Sequence, residues 1–526
     1  MSTLGVSSPV ARWGLGRAGL PALAAVGLSL AAGLDTIVNS DLGWILRFGS
    51  DAVAAHAIPA TNTQSFTDPG FPIVLHEWAA CIGLYLVQAS WGAAGLIVLK
   101  WILGAATLLV LAAALRQVTT STAGYVLALL LAAHCLSALA FPLLRPQLVS
   151  WLGLAWMVYA GLSGRRWALW SCVPVCLVWS NMHGGVLAGI VLLAVLCGGL
   201  LVEGALGKVV LSTSPAEVVA VPAISAATML VNPYGARLLL HTWHHATDRV
   251  RLLNREWMPL WRIDQLRGFE KDALVLMGFV LLLALALLPV WRVRLWSLLA
   301  IGILASVSAN RHLRMAPILL APALAASLGY AVERVGWSLR QTIERATLVL
   351  SAAAILFFAN AWLRHAETGL RLVDQKRMDP GAALWVMRAN ELTGKVWNDF
   401  NWGGLLVWAI PEARVACDGR NVTAYSERVL EECIPFESEP EPVDLLTRYG
   451  AEVVLLPAHH PALKKLASRY VPLYCDAIAC VLSSRPQDAE RARAGLRLPP
   501  GEIHASDFFS LPASADAVGT AGLVPR

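Results

Sequence analysis

The stretch NSDLGWILRFGSDAVAAHAIPATNTQSFTDPGFPIVLHEW, residues 39–78, follows the first long apolar run of the chain. It carries the acids Asp41, Asp51, Asp68 and Glu77 against a single permanent cation, Arg47. Before the apolar run stand Arg12 and Arg17. Basic residues are retained on the cytoplasmic side of a membrane helix, so the amino terminus reads as inside and loop 39–77 as outside. No A-x-A cleavage pattern follows, and the run over 18–38 reads as an uncleaved signal anchor. Asp41 then lies a few residues past a helix end, at the membrane boundary. Residues 42–55 can form an amphipathic helix lying on that boundary, with Trp44, Leu46 and Phe48 as anchors. Glu77 stands at the start of the next helical segment, where a carboxylate also suits the helix dipole.

Composition agrees with a membrane chain. Of 526 residues, 57% are hydrophobic and 14% charged, whereas a soluble globular chain carries about a quarter charged residues. The 21 tryptophans suit many membrane–water boundaries. The net charge of +6 fits anionic lipid or a phosphate-bearing ligand. It does not indicate nucleic acid, because no basic run interleaved with aromatics stands apart from the helices.

Apolar runs recur near the roughly 20 residues that cross about 30 Å of hydrocarbon. They place about eleven transmembrane helices, near 18–38, 92–115, 122–141, 147–163, 167–182, 184–206, 215–232, 273–291, 295–309, 315–331 and 346–363. The stretch 78–91 is too short to span and reads as a re-entrant or interfacial helix. With this parity the motif-like segments share the outer face, and the turns SGRRW and VWRVR on the other face look plain. The basic loop 233–272 falls outside, against the charge rule.

Residues 1–364 thus form a membrane module. From about 365, short β-prone runs (405–410, 414–419, 452–457, 478–484) alternate with helix-compatible segments at 442–449 and 460–469. Residues 365–485 read as a small extracytoplasmic α/β domain and 486–526 as a loose tail. The closing LVPR resembles a protease-tag remnant and is set aside. The polar part holds Cys417, Cys433, Cys475 and Cys480, which could form two disulfides in an oxidising compartment.

Candidate chemistry gathers in the outer segments. Asp41 and Glu77 are carboxylates able to take a proton. Arg145, in RPQLVS between two apolar runs, is costly there unless paired or facing a cavity. Arg311 and Arg314 occupy NRHLR; arginine binds phosphate oxygens through a planar fork and stays charged. Arg47 is a lesser phosphate candidate, able instead to face headgroups. His76 adjoins Glu77. Asn181 and His183 lie in WSNMHGG, Asn232 and Tyr234 in NPYG, and Glu256 in REW. His241 and His245 lie four apart, a spacing that can ligate metal on a helix, but no H-E-x-x-H glutamate accompanies them. Asp399, Asp418 and Arg420 sit in turn-prone NDFNWGG and CDGR, where they either shape an acceptor site or brace the domain.

The order D-x-x-W-x-L-R-x-G, I-P, S-F-T-x-x-G and H-E-W within 41–78 resembles the first extracytoplasmic loop of GT-C-type bacterial membrane glycosyltransferases, the protein mannosyltransferase-like, polyprenyl-phosphate-sugar-dependent group. RPQLVS, WSNMHGG, NPYG, REW and WNDFNWGGLLVW…RVACDGR continue the likeness in the same order, over roughly 20–430. The related pattern often has His at Ile45 and Asp at Asn62. The resemblance implies a multi-pass protein of the bacterial inner membrane, with its site and carboxy-terminal domain on the extracytoplasmic side. It further implies sugar transfer from a polyprenyl-phosphate-linked donor to a lipid, glycan or protein acceptor, with Asp41 as base or ligand of a divalent cation (Mg or Mn) and Glu77 as second candidate. The other function classes to weigh are a transporter or lipid flippase and an inactive scaffold of the same fold. Transporters place charges near the bilayer midplane in two related halves, whereas here the motifs gather at one surface and no half-repeat is visible.

Overall fold

The computed structural model describes residues 15–32, 35–37, 39–139, 143–247, 250–365, 371–373 and 379–509. Among them the amino-terminal part is helical: α1 (Leu15–Ala32), α2 (Leu42–Ala55), α3 (Trp78–Leu115), α4 (Thr122–Leu139), α5 (Gln147–Ser163), α6 (Arg166–Met182), α7 (Val186–Ala205), α8 (Pro215–Ala227), α9 (Ala236–Thr247), α10 (Gly268–Leu287), α11 (Val293–Ser308), α12 (Ala316–Glu333) and α13 (Trp337–His365). By length and composition, Trp78–Leu115, Val186–Ala205, Ala316–Glu333 and Trp337–Asn360 are long and apolar enough to cross a membrane. Gly19–Leu28, Thr122–Ser137, Pro215–Leu230 and Val293–Ser308 are shorter apolar helices. The eleven expected stretches all contain helix, but four helices meet the full spanning length.

Local sequence explains several boundaries. α8 opens on a capping box, in which the Ser214 side chain accepts from the Glu217 amide and Pro215 fills the first turn. The expected separation of 78–91 from the following span is present within Trp78–Leu115 (α3): two helices meet at Gly92, whose backbone is non-helical (φ 60°, ψ −152°). Glycine is at ease there and a residue with a Cβ is not, so the chain can turn sharply between the two helices. α1 stops at Ala32, short of the expected 38, and Asp35–Ile37 (β1) pairs in parallel with Arg371–Val373 (β2).

At the helix ends remote from the acidic loop, the turn that looked plain holds a buried ion pair. Arg294 donates from Nε and NH2 to Glu203 at 3.0 and 2.7 Å, and from NH1 to the carbonyls of Gly161 and Leu162, both at 2.9 Å. A buried guanidinium is tolerated when its hydrogens are so matched, and this one ties α5, α7 and α11 together.

The carboxy-terminal domain is built on β3 (Gly394–Asn398), β4 (Ala413–Val415), β5 (Val453–Pro457), β6 (Val471–Cys475) and β7 (Ala479–Ser483), in the order β4-β3-β5-β7-β6. β3 pairs in parallel with β4 and β5; the β5–β7 and β6–β7 pairs are antiparallel. The sequence runs at 414–419, 452–457 and 478–484 thus contain strands, but 405–410 does not. Residues Gly403–Ala409 are a helix (α15, counted after α14, Gly381–Ala389), buried against α2. A short continuous apolar run has no period that separates strand from helix, and the packing against α2 decides it.

Three further expectations are corrected. Trp44, Leu46 and Phe48 are 3%, 0% and 2% exposed, so they are protein core between α3 and α15 and not membrane anchors. One disulfide forms, Cys475–Cys480 across the β6–β7 hairpin, while Cys417 and Cys433 are buried free thiols. The start of the tail is ordered: Pro486–Ala494 is helical, and Phe509 stacks on Trp408 at 6.1 Å between ring centres. Residues 510–526 lie outside the described residues.

Candidate active site

A cavity of about 560 Å³ lies where the acidic loop, the starts of α5 and α7, the residues after α11 and the carboxy-terminal domain converge. Asp41, His76, Glu77, Arg145, His183, Glu256, Arg311 and Arg420 line it. These residues span nearly 380 positions of sequence, and the fold brings them to one end of the helices.

Asp41 precedes α2, with its amide held by the Asn39 side chain at 2.9 Å. Its carboxylate accepts from Trp44 Nε1 at 3.2 Å and from Arg145 NH2 at 2.9 Å. Arg145 reaches Glu256 through NH1 at 3.4 Å, and Glu256 takes Arg314 NH2 at 3.0 Å. Carboxylate and guanidinium thus alternate along one chain. Burial alone would raise the carboxyl of Glu256, but Arg145, Arg314 and Arg311 together bring it down to about 2. Burial likewise opposes the charge on Arg145, and Asp41 and Glu256 more than offset it, leaving its affinity for the proton raised.

Two groups stand apart from this balance. Arg311 makes no ion pair among the described residues; its guanidinium lies 4.0 Å over the Trp257 ring, and burial lowers it to about 10. Glu77 is pushed up to about 8, by burial first and by the nearby Asp41 charge second. It is protonated for most of the time at neutral pH. Carboxyls tuned this far toward neutrality are a common mark of acid–base sites.

The carboxy-terminal domain forms one wall. Arg420 is buried with Asp418 and Tyr425: Arg420 NH2 donates to Asp418 Oδ2 at 2.6 Å, and the Tyr425 hydroxyl to the same oxygen at 2.9 Å. Asp418 therefore anchors Arg420 from behind. The domain touches Asp41 through Gly419, where a Cβ would overlap the Asp41 carboxylate, and touches Ser40 through Gly404. Gly419→Ala is accordingly expected to shift Asp41 by a fraction of an ångström to an ångström and to reduce turnover about 10²-fold. Steady-state kinetics beside an unchanged thermal unfolding profile check this.

Other expected site residues serve structure. Arg47 pairs with Asp51 at 2.8 Å and donates to the carbonyls of Val407 and Pro411, joining α2 to the domain outside the cavity. Asn181 accepts from Trp78 Nε1 at 3.2 Å and donates to the Val231 carbonyl at 3.0 Å. Asn232 closes its own turn by accepting from the Tyr234 amide at 2.8 Å. Asp399 accepts from the Asn401 amide at 2.8 Å, a local cap. His241 lies 3.3 Å from the Thr423 hydroxyl, and the His245 side chain falls outside the described residues. Asn62 is fully buried and donates to the Ala424 carbonyl at 2.8 Å; Ile45 lines the cavity. Ser150, Trp151 and Trp257 line the cavity without having been singled out, although RPQLVS and REW contain two of them.

The cation implied by the resemblance has one candidate cluster among the described residues, His76, Glu77 and His183, with ligand atoms within 4.8 Å of one another. His183 Nδ1 accepts from the Gly185 amide at 3.1 Å. Nδ1 then bears no hydrogen, the neutral ring carries it on Nε2, and neither nitrogen offers a spare lone pair. Without His183 the cluster offers His76 and Glu77, a set that a divalent cation would complete with phosphate oxygens and water, and Asp41 already serves Arg145 and Trp44.

No family description and no curated relative matches the chain. Solved structures match most of it. ArnT from Cupriavidus metallidurans, bound to undecaprenyl phosphate, is 14% identical with a TM-score of 0.52, over 89% of this chain and 98% of that one. The Archaeoglobus fulgidus oligosaccharyltransferase tethered to an acceptor peptide is 12% identical with a TM-score of 0.54, over 95% of this chain and 77% of that one. The oligosaccharyltransferase AglB from the same organism, in complex with an inhibitory peptide and a dolichol-phosphate, is 12% identical with a TM-score of 0.51, over 83% and 69%. Identities this low speak for fold alone, and on that ground the chain is a multi-pass membrane protein with the GT-C fold.

Proposed function

We propose that the protein is a membrane glycosyltransferase that moves a sugar from a polyprenyl-phosphate-linked donor to an extracytoplasmic acceptor at the bacterial inner membrane. The observation that carries this reading is the pairing, in one cavity, of a carboxyl tuned to about 8 with a guanidinium, Arg311, that forms no ion pair among the described residues. In the transfer, the bond from the sugar's anomeric carbon to the phosphate oxygen breaks, and a bond from that carbon to the acceptor heteroatom forms. The polyprenyl phosphate leaves with the electron pair, and the acceptor's proton passes to a carboxylate.

Glu77 is the base in this reading, and Asp41 is the residue that orients Arg145. Asp41 has both oxygens engaged, by Arg145 and by Trp44. Arg311 and Arg145 hold the leaving phosphate, whose charge grows as the bond breaks and whose oxygens suit a planar fork. Asp41 and Glu256 balance Arg145 and Arg314, and Asp418 balances Arg420, so with Glu77 protonated the net surplus is the one charge on Arg311. A phosphodiester-linked donor brings one negative charge, which this surplus matches; a diphosphate-linked donor brings at least two. A second, apolar cavity of about 270 Å³, lined by residues such as Ala128, Met277, Leu313 and Leu320, adjoins Arg314 in sequence at Leu313 and offers room for part of an isoprenoid chain.

Binding of undecaprenyl phosphate in nanodiscs, followed by native mass spectrometry, tests this. Wild-type protein is expected to retain one lipid, and Arg311→Ala to weaken retention about ten- to a hundredfold, the worth of hydrogen bonds to a charged group. Equal retention by both proteins would remove the phosphate site from the account.

A further inference from the structure

The motif WSNMHGG leaves a question that the transfer itself does not settle: what His183 does, given that it lines the cavity beside Glu77 yet is poorly suited to a metal. Three neighbours act on its Nδ1 side. Ser150 Oγ lies 2.7 Å from Nδ1, the Gly185 amide donates to Nδ1 at 3.1 Å, and Trp179 Nε1 donates to Ser150 Oγ at 2.8 Å. An amide N–H can only donate, so Nδ1 is an acceptor, and Ser150 also satisfies its own hydrogen by donating there. The indole that feeds Ser150 is 1% exposed and is held between α5 and α7, where a Cβ at Gly153 or at Gly189 would overlap its ring. His183 ends α6 in an extended conformation (φ −167°, ψ 139°), which turns the chain back so that the Gly185 amide meets its own ring.

We infer that His183 is a neutral hydrogen-bond donor, presenting Nε2–H to a phosphate oxygen of the lipid donor, with Ser150 and Trp179 as the positioning residues that hold it in this tautomer. The inference rests on the proposed transfer for the identity of the ligand, and on geometry alone for the tautomer. The phosphate is the favoured occupant because the ring lies beside Glu77, whose carboxyl feels the charges of Arg311 and Arg145 in the same cavity. A neutral donor adds a directed contact there without a further charge.

Two readouts test this. In the ¹⁵N spectrum of histidine-labelled protein, the His183 signal, assigned by its loss in His183→Gln, is expected to show hydrogen on Nε2 and none on Nδ1. Ser150→Ala with Trp179→Phe is expected to move that balance toward the other tautomer. Hydrogen on Nδ1 in the wild type overturns the inference without reference to any ligand. Against undecaprenyl phosphate in nanodiscs, His183→Gln, whose amide can place an N–H near the Nε2 position, is expected to bind within about threefold of wild type, and His183→Leu to lose about tenfold or more. Unchanged binding by His183→Leu, or binding abolished by a chelator and restored by Mn²⁺, also overturns it. Failure of the wild type to bind the lipid at all would instead count against the transferase reading and leave the tautomer result standing.

Discussion

Glu77→Gln is expected to lower kcat/KM by about 10²–10⁴-fold, the usual worth of a positioned general base. The amide keeps the size and hydrogen-bonding of the protonated carboxyl, so the folded protein should persist. The pH profile distinguishes this from a structural effect. A base acts in its ionised form, and burial with the Asp41 charge holds Glu77 up at about 8. Wild-type kcat/KM is therefore expected to climb about tenfold per pH unit below that value and to level off above it. The variant's residual rate should lack that limb. The sign for stability runs the other way. The folded chain holds a proton that the unfolded chain releases, so the contribution is fully present below the ordinary carboxyl range and lost as pH rises through about 8. Glu77→Gln should flatten that decline, as thermal unfolding between pH 5 and 9 would register.

Arg145→Ala is expected to be worse for the fold. Arg145 is the cation shared by Asp41, at 2.9 Å, and Glu256, at 3.4 Å, with its side chain 15% exposed. Removing one partner of a buried charge network leaves charges without compensation, at a cost of about 3–5 kcal/mol. Transfer should be undetectable, because in the proposed reading the phosphate loses one of its two arginines. Arg145→Lys keeps the charge but not the fork, and should recover stability more than activity. Adding Asp41→Asn to Arg145→Ala removes one stranded carboxylate and is expected to restore part of the lost stability. Simple additivity of the two substitutions would argue against the pairing.

Much of this arrangement was legible in the sequence. Charge asymmetry about the first apolar run placed Asp41 and Glu77 on one face, and residues of RPQLVS, WSNMHGG, REW, NRHLR and CDGR line one cavity with them, whereas NPYG does not. What could not be read was contact across the chain. Residues 42–55 have the pattern of an interfacial helix, and pattern alone cannot say whether the apolar stripe meets lipid or protein. Here it meets α15, which the sequence had suggested as a strand. Arg47 was a lesser phosphate candidate able instead to face headgroups, yet its partners, Asp51 and the carbonyls of Val407 and Pro411, lie four residues away and in the other domain. Which of Asp41 and Glu77 is paired with an arginine was also hidden, because it depends on contact across the chain; Arg145 reaches Asp41. Ser150 and Trp179 drew no attention, since serine and tryptophan in an apolar helix announce nothing until a histidine ring is placed beside them.

Chemical transfer from a lipid phosphate alters lipid-linked sugars and envelope glycans, which mass analysis reads out. Cells with the protein, cells lacking it and cells carrying only Glu77→Gln would be compared. If transfer is the activity, one polyprenyl-phosphate-linked sugar is expected to accumulate in the last two, with loss of a matching sugar from an envelope lipid, glycan or protein. Unchanged pools in all three, or a lipid-linked sugar that only changes leaflet in sealed vesicles without losing its sugar, would contradict it and favour a flippase.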